Sequence, residues 1–341
     1  MRQASTLRRA TGTLVGALVA VGLTFVFSSV TNSKLSQAAA YAVAAVGLSL
    51  LTGWSGQISL GTSGLMAIGG FTTAIWLRSM PGTPFVVMLL LSGFVAMLGG
   101  FVLGLPATKL RGPYLAGLTL AFAYALPQIP VSLGAWAGGS GGLSVMMPRA
   151  PHWFVSLVGT DAFSANQQYV AILGIAVAAF CFFIVANLFA SRSGRAFRLI
   201  RDNDVAAELT GLNLNRVRTS AFVIAAAFAG VGGSLFVYAN GSASPNYFPF
   251  SLSITLLTLL VLGGLGTIEG ALIAGVLMMY TGNLVQDLSN WFGIDPYSNF
   301  GLNFQGILFG VLLIATMLGT PNGIAGALRT LLLKLRTRRS L

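Results

Sequence analysis

Apolar residues run through this chain in long blocks, and polar residues interrupt them at intervals short enough to count. A spanning helix needs roughly 20 apolar residues. Ten candidate segments begin near Gly12, Gln37, Gly61, Pro84, Pro113, Tyr169, Val217, Ser251, Ile268 and Leu302, the third and ninth carrying the weakest signal. The pattern predicts an all-α polytopic membrane protein with about 8 to 10 transmembrane helices in one transmembrane domain over residues 1–341. The first segment follows Arg2, Arg8 and Arg9 without a convincing small-residue cleavage site, so it reads as a retained helix rather than a signal peptide. Two interruptions are longer than a turn: residues 134–168, and a polar island of 28 residues from Ser191 to Arg218 that holds nine of the chain's 26 charged residues.

Composition supports the bilayer. The chain is 55% hydrophobic and only 8% charged, against about a quarter charged in an ordinary soluble domain. With the N-terminus placed in the cytoplasm, ten spans put 16 of the 19 lysines and arginines on one side and leave Lys34, Arg78 and Arg149 on the other. That is the asymmetry of the positive-inside rule. Both termini and the 191–218 loop are then expected in the cytoplasm, and the 134–168 loop outside it. The net charge of +12 is better matched by anionic inner-leaflet lipid than by nucleic acid.

Candidate chemistry is sparse. The single cysteine, Cys181, lies inside an apolar segment and reads as a small buried hydrophobe. The lone His152 has no second histidine or nearby carboxylate, so no metal site is assigned there. All seven acids (Asp161, Asp202, Asp204, Glu208, Glu269, Asp287, Asp295) fall in loops or at a segment edge, whereas ion-coupled transporters usually place carboxylates near the midplane. No Gly-Lys dipeptide occurs, which excludes a Walker A loop. No nucleophile-and-base pair is evident, and no cofactor or catalytic residue is expected.

Glycine is abundant instead. Gly53, Gly56, Gly61, Gly64, Gly69 and Gly70 cluster with Gln57, Ser59, Thr62 and Ser63, and a second group comprises Gly263, Gly264, Gly266, Gly270 and Gly275. Glycine-interrupted segments in both halves point to a transport path, with tight helix packing as the alternative for any single glycine. Within the polar island, Asp202 or Asn203 can cap a helix that starts at Asp204 and ends at Thr210, where Gly211 supplies the stop. Positions 204 and 208 share a face, and Ala206 and Ala207 leave a smooth patch beside it. Such a helix serves either as a peg for a cytoplasmic partner or as an amphipathic turn on lipid headgroups. Arginine at every third position (Arg192, Arg195, Arg198, Arg201) also raises a voltage sensor, but these residues lie outside a spanning core and no channel filter accompanies them. A secondary transporter working alone stays open as the other rival.

Several of these stretches carry a resemblance. Ser193-Gly194-Arg195-Ala196 through Ile200-Arg201-Asp202-Asn203-Asp204-Val205-Ala206-Ala207-Glu208-Leu209-Thr210-Gly211, with Ala229-Gly230-Val231-Gly232-Gly233 beyond, is similar to the cytoplasmic coupling segment of branched-chain amino acid ABC importer permeases of the LivM and LivH class. Gly53-Trp54-Ser55-Gly56-Gln57-Ile58-Ser59-Leu60-Gly61, Leu110-Arg111-Gly112-Pro113-Tyr114, Val261-Leu262-Gly263-Gly264-Leu265-Gly266-Thr267 and Pro321-Asn322-Gly323 resemble further family signatures in the expected order. The resemblance implies a type II-like ABC importer permease in a bacterial plasma membrane. It also implies a second permease subunit in a heterodimer, two cytoplasmic ABC ATPases and an extracytoplasmic solute-binding protein. It assigns coupling to Arg201, Asp202, Asn203, Asp204, Ala206, Ala207, Glu208 and Gly211, and the translocation path to Gly53, Gln57, Ser59, Gly61, Thr62, Tyr124, Thr255, Gly263, Gly264 and Gly266. Three departures bear on cargo: Thr62 stands where the family often has histidine, and Tyr124 and Thr255 where it has glutamates. Branched-chain amino acids then share the field with urea, short amides and other amino acids.

Overall fold

The computed structural model describes residues 16–110, 112–159, 161–291, 307–308, 310–312, 314 and 323–327. Helix α1 occupies residues 16–24. α2 (Ser29–Leu48) continues into a π-helical turn, Ser49–Trp54, and is followed by α3 (Thr62–Ser79), α4 (Phe85–Ala107) and α5 (Pro113–Ala125). The chain then passes through α6 (Gln128–Ser132), β1 (Leu143–Ser144) and α7 (His152–Val158). The long α8 (Ala162–Ala190) leads to α9 (Arg192–Asp202), α10 (Asp204–Leu209) and α11 (Leu214–Asn240). β2 (Ser242–Ala243), α12 (Phe250–Gly264) and α13 (Ile268–Trp291) follow.

Among the described residues, six helices are long and apolar enough to span a bilayer: Ser29–Trp54, Phe85–Ala107, Pro113–Ser132, Ala162–Ala190, Leu214–Asn240 and Pro245–Gly264. α3, the third predicted segment, is helical but less apolar than these six, its glycines, threonines, serines and Arg78 diluting the signal, and most of it is buried among its neighbours. The ninth contributes a shorter apolar stretch, Ile268–Tyr280. The starts of the first segment near Gly12 and the tenth near Leu302 lie outside the described residues. Two helices begin earlier than their apolar runs: α2 at Ser29 instead of near Gln37, and α8 at Ala162 instead of near Tyr169. Their polar first turns stay helical because the side chains find partners, as where Asn32 Nδ2 donates to the Thr24 carbonyl at 3.0 Å and Asn166 Oδ1 accepts from the Ala150 amide at 2.7 Å.

α11 is the hub, packing against α2, α3 and α4. The α2 span is 83% buried and the α11 span 72%, whereas the α5 span is only 28% buried, so the first two form the centre and α5 the rim. Close approach at the hub depends on glycine: a Cβ at Gly69 would fall on the backbone of Gly230, so no larger residue fits between α3 and α11. At the end of the bundle reached by α11's C-terminus, β1 and β2 pair antiparallel, Leu143 with Ala243 and Ser144 with Ser242. Val145 donates to the Gly241 carbonyl at 2.8 Å and extends this short ladder.

Candidate coupling surface and glycine junction

The polar island folds as two short helices around a small apolar core. On α9, Gly194, Phe197 and Ile200 point inward at a spacing of three, which turns Arg192, Arg195 and Arg198 outward. That geometry accounts for the arginine repeat: it is the exposed side of a helix buried on the other, from which Arg198 and Arg201 reach back to Trp54 and Gly53. Asn203 then breaks the helix with extended backbone and caps α10, its Oδ1 accepting from the Ala206 amide at 3.1 Å. Of the two cap candidates it is therefore Asn203, not Asp202, that serves. α10 ends at Leu209 and is closed by Gly211, whose φ of +80° lies in the left-handed region that favours glycine. The Leu212 amide returns to the Ala207 carbonyl at 3.2 Å. Asn213 caps α11 in turn, accepting from the Arg216 amide at 3.1 Å.

One sequence expectation changes here. The smooth patch expected of Ala206 and Ala207 is not open at Ala207, which is fully buried against Ile200 and Leu214, because α10 needs an apolar contact to stay folded. Asp204, one turn before Glu208, is engaged: its Oδ2 accepts from Arg218 Nη2 at 2.6 Å and fastens α10 to α11. The surface that α10 presents consists of Val205, Glu208 and Leu209, with Leu209 84% exposed. The signal for the two aliphatic residues was available, since valine and leucine inside a charged island stand out once Ala207 is known to take the inward position.

Arg201 has a different neighbourhood. Its Nη1 donates to the Gly53 carbonyl at 2.5 Å, and its aliphatic stem lies beside Gly56, whose φ is +70°. The island is thus tied directly to the first glycine cluster. There the π-helical turn closes with the Ser55 amide on the Leu50 carbonyl at 3.1 Å. Gln57 is buried, its Nε2 donating to Ser55 Oγ at 2.8 Å and its backbone carbonyl accepting from Thr52 Oγ1 at 3.3 Å. Ser59 Oγ accepts from the Gly61 amide at 3.2 Å, and Thr119 Oγ1 of α5 accepts from the Leu60 amide at 2.9 Å. At the start of α3, Ser253 Oγ of α12 accepts from the Ser63 amide at 2.8 Å.

The two glycine clusters meet. A Cβ on Gly53 would fall on the backbone of Gly266, and one on Gly263 would fall on Gly270. Gly264 is approached by Gly323. At these positions glycine allows backbone-to-backbone contact, which is the packing alternative, and Gln57, Ser59, Thr62 and Thr255 are each buried. Tyr124 stands apart from that set, 62% exposed on α5 with its ring 6.4 Å from that of Phe250. Pattern reading missed Trp54, which stacks on Phe189 at 3.6 Å between ring centres and donates Nε1–H to the Gly266 carbonyl at 2.6 Å.

The multi-pass helical bundle carries a folded, capped helix pair on a charged connection, and its family makes it a membrane transport subunit rather than an enzyme. The chain belongs to the family described as branched-chain amino acid transport system / permease component, which it matches over residues 30–317. It is 29% identical over 328 residues to the high-affinity branched-chain amino acid transport system permease protein LivM of Escherichia coli, covering 91% of this chain and 74% of that one. The corresponding permease protein BraD of Pseudomonas aeruginosa is 27% identical over 319 residues, 86% of this chain and 93% of its own. The LivH permease protein of Escherichia coli is 35% identical over 136 residues, 40% of each chain.

Proposed function

We propose that this chain is a membrane-spanning permease subunit of an ATP-binding-cassette importer that admits branched-chain amino acids or a related small polar solute across a bacterial inner membrane. The observation that carries the reading is α10: two turns, capped at both ends, pinned by Asp204–Arg218 and presenting Val205, Glu208 and Leu209 outward. A helix this short has no reason to be ordered by its own propensity, and a rigid projection with exposed aliphatic residues suits the groove of a cytoplasmic ATPase. In this assembly the chain pairs with a second permease subunit and receives solute from an extracytoplasmic binding protein. The 191–218 loop and both termini face the cytoplasm, and the 134–168 loop faces outward.

Among the described residues, the buried polar groups are hydroxyls and amides with Arg218 as the one cation and no carboxylate. An interior this free of charge fits urea or a short amide as a second cargo reading, since neither brings a charge that needs a buried counterion. Reconstitution with the ATPases, the second permease and the binding protein tests the function. Uptake is expected to require ATP and the binding protein, and uptake driven by an ion gradient with neither present would refute it. Competition among leucine, valine, urea and acetamide then separates the two cargoes.

A further inference from the structure

The indole of Trp54 joins four separate elements at one point, and none of the residues assigned to coupling or to the path includes it. It ends the π-helical turn after α2, stacks on Phe189 near the end of α8 with the rings 12° from parallel, and donates to Gly266 between α12 and α13. The Arg198 guanidinium of α9 lies over the same ring, 4.6 Å from its centre, within the range of a cation–π attraction. One turn further along α9, Arg201 holds the carbonyl of the neighbouring residue, Gly53.

We propose that Trp54 is a positioning residue for transport: it transmits displacement of the α9–α10 helix pair to the point where the two glycine clusters touch. This rests on the importer reading above. The geometry supports transmission over mere adhesion for three reasons. Arg198 and Arg201 contact adjacent residues of the π turn from the same helix, so a shift of α9 bears on that turn at two points. The Gly53–Gly266 approach leaves no room for a side chain to absorb the movement. The indole N–H holds Gly266, so a shift of the ring reaches the α12–α13 connection as well as Phe189 of α8. Energetic coupling between sites is carried by such packed contacts when both sites bias the same element.

The test uses the complete reconstituted transporter and reads solute imported per ATP hydrolysed, together with assembly of the complex. Trp54→Leu, which removes stack, cation site and donor together, is expected to lower that ratio roughly fivefold or more. Trp54→Phe, which keeps a ring but no N–H, should fall between this variant and wild type. Arg198→Gln changes an exposed residue and carries the same test should Trp54→Leu fail to assemble; it too should lower the ratio. The Arg198→Gln, Trp54→Leu double variant should be no worse than Trp54→Leu alone. An unchanged ratio in assembled Trp54→Leu, or in Arg198→Gln where Trp54→Leu does not assemble, overturns the proposal. Failure of the importer reading has a different signature, wild-type uptake that ignores ATP.

Discussion

Arg218 and Asp204 are joined by an ion pair of 2.6 Å that crosses from the first turns of α11 to the first residue of α10, with the arginine 7% exposed. The cation is the one charged group buried among the described residues, and removing its partner strands it. Asp204→Ala is expected to destabilise the protein by about 3 kcal/mol, because an uncompensated buried charge costs more than the pair contributes. Thermal unfolding of the purified protein in detergent measures this, and Asp204→Leu with Arg218→Met should recover most of the loss. A double variant no more stable than Asp204→Ala would contradict the pairing.

The ends of α10 are set by local backbone chemistry and can be loosened without touching its outer face. Asn203→Ala should cost about 1 kcal/mol through loss of the cap, and amide exchange at Ala206 should accelerate. Gly211→Ala has free space around its new methyl group but forces a left-handed backbone, a penalty of about 1–2 kcal/mol. Equal exchange rates in both variants and wild type would remove the caps as determinants of the helix.

The projecting side chains invite the opposite experiment. Leu209→Asp alters a residue that is 84% exposed, so folding should be unaffected. Capture of the ATPase should nevertheless fall by about tenfold or more if Leu209 is an anchor, since anchors commonly carry 2 kcal/mol or more. Pull-down of the purified ATPase by wild type and variant reads this directly, with matched melting temperatures as the control.

Two glycine substitutions separate a packed position from an open one. Gly69→Ala should cost about 1–3 kcal/mol by overpacking against Gly230, whereas Gly117→Ala, inside α5 with nothing near its new methyl group, should be neutral to stabilising by up to about 1 kcal/mol. Size-exclusion profiles and unfolding temperatures decide between them; equal behaviour would mean that α3 and α11 stand further apart.

Sidedness has a clean assay. Cys181 is 5% exposed and offers little background thiol reactivity. A cysteine replacing Asn203 is therefore expected to react with an impermeant maleimide in inside-out vesicles but not in intact cells. Labelling in intact cells would invert the topology.

What was legible in the sequence follows the range of the forces involved. The helix Asp204–Leu209 could be placed almost to the residue because caps and glycine stops act over three or four positions. Six long apolar helices follow from composition, while α3 shows where an apolar count loses its signal: its polar and glycine residues are accommodated by neighbours invisible to a local window. The inward turn of Ala207, the Asp204–Arg218 pair and the Trp54 stack depend on α9, α10 and α11 folding back on one another. No spacing rule along the chain encodes that return. The meeting of Gly53 with Gly266, more than two hundred positions apart, is of the same kind.

The short β1–β2 ladder has a mechanical consequence. It clasps the segment after α6 to the segment after α11, so the ends of the bundle on that side cannot splay independently. A tilting helix then pivots near this clasp, and its excursion grows with distance along the axis. Displacement applied at the α9 end, beyond the opposite terminus of α11, then acts on the long arm of a lever whose short arm ends at the ladder.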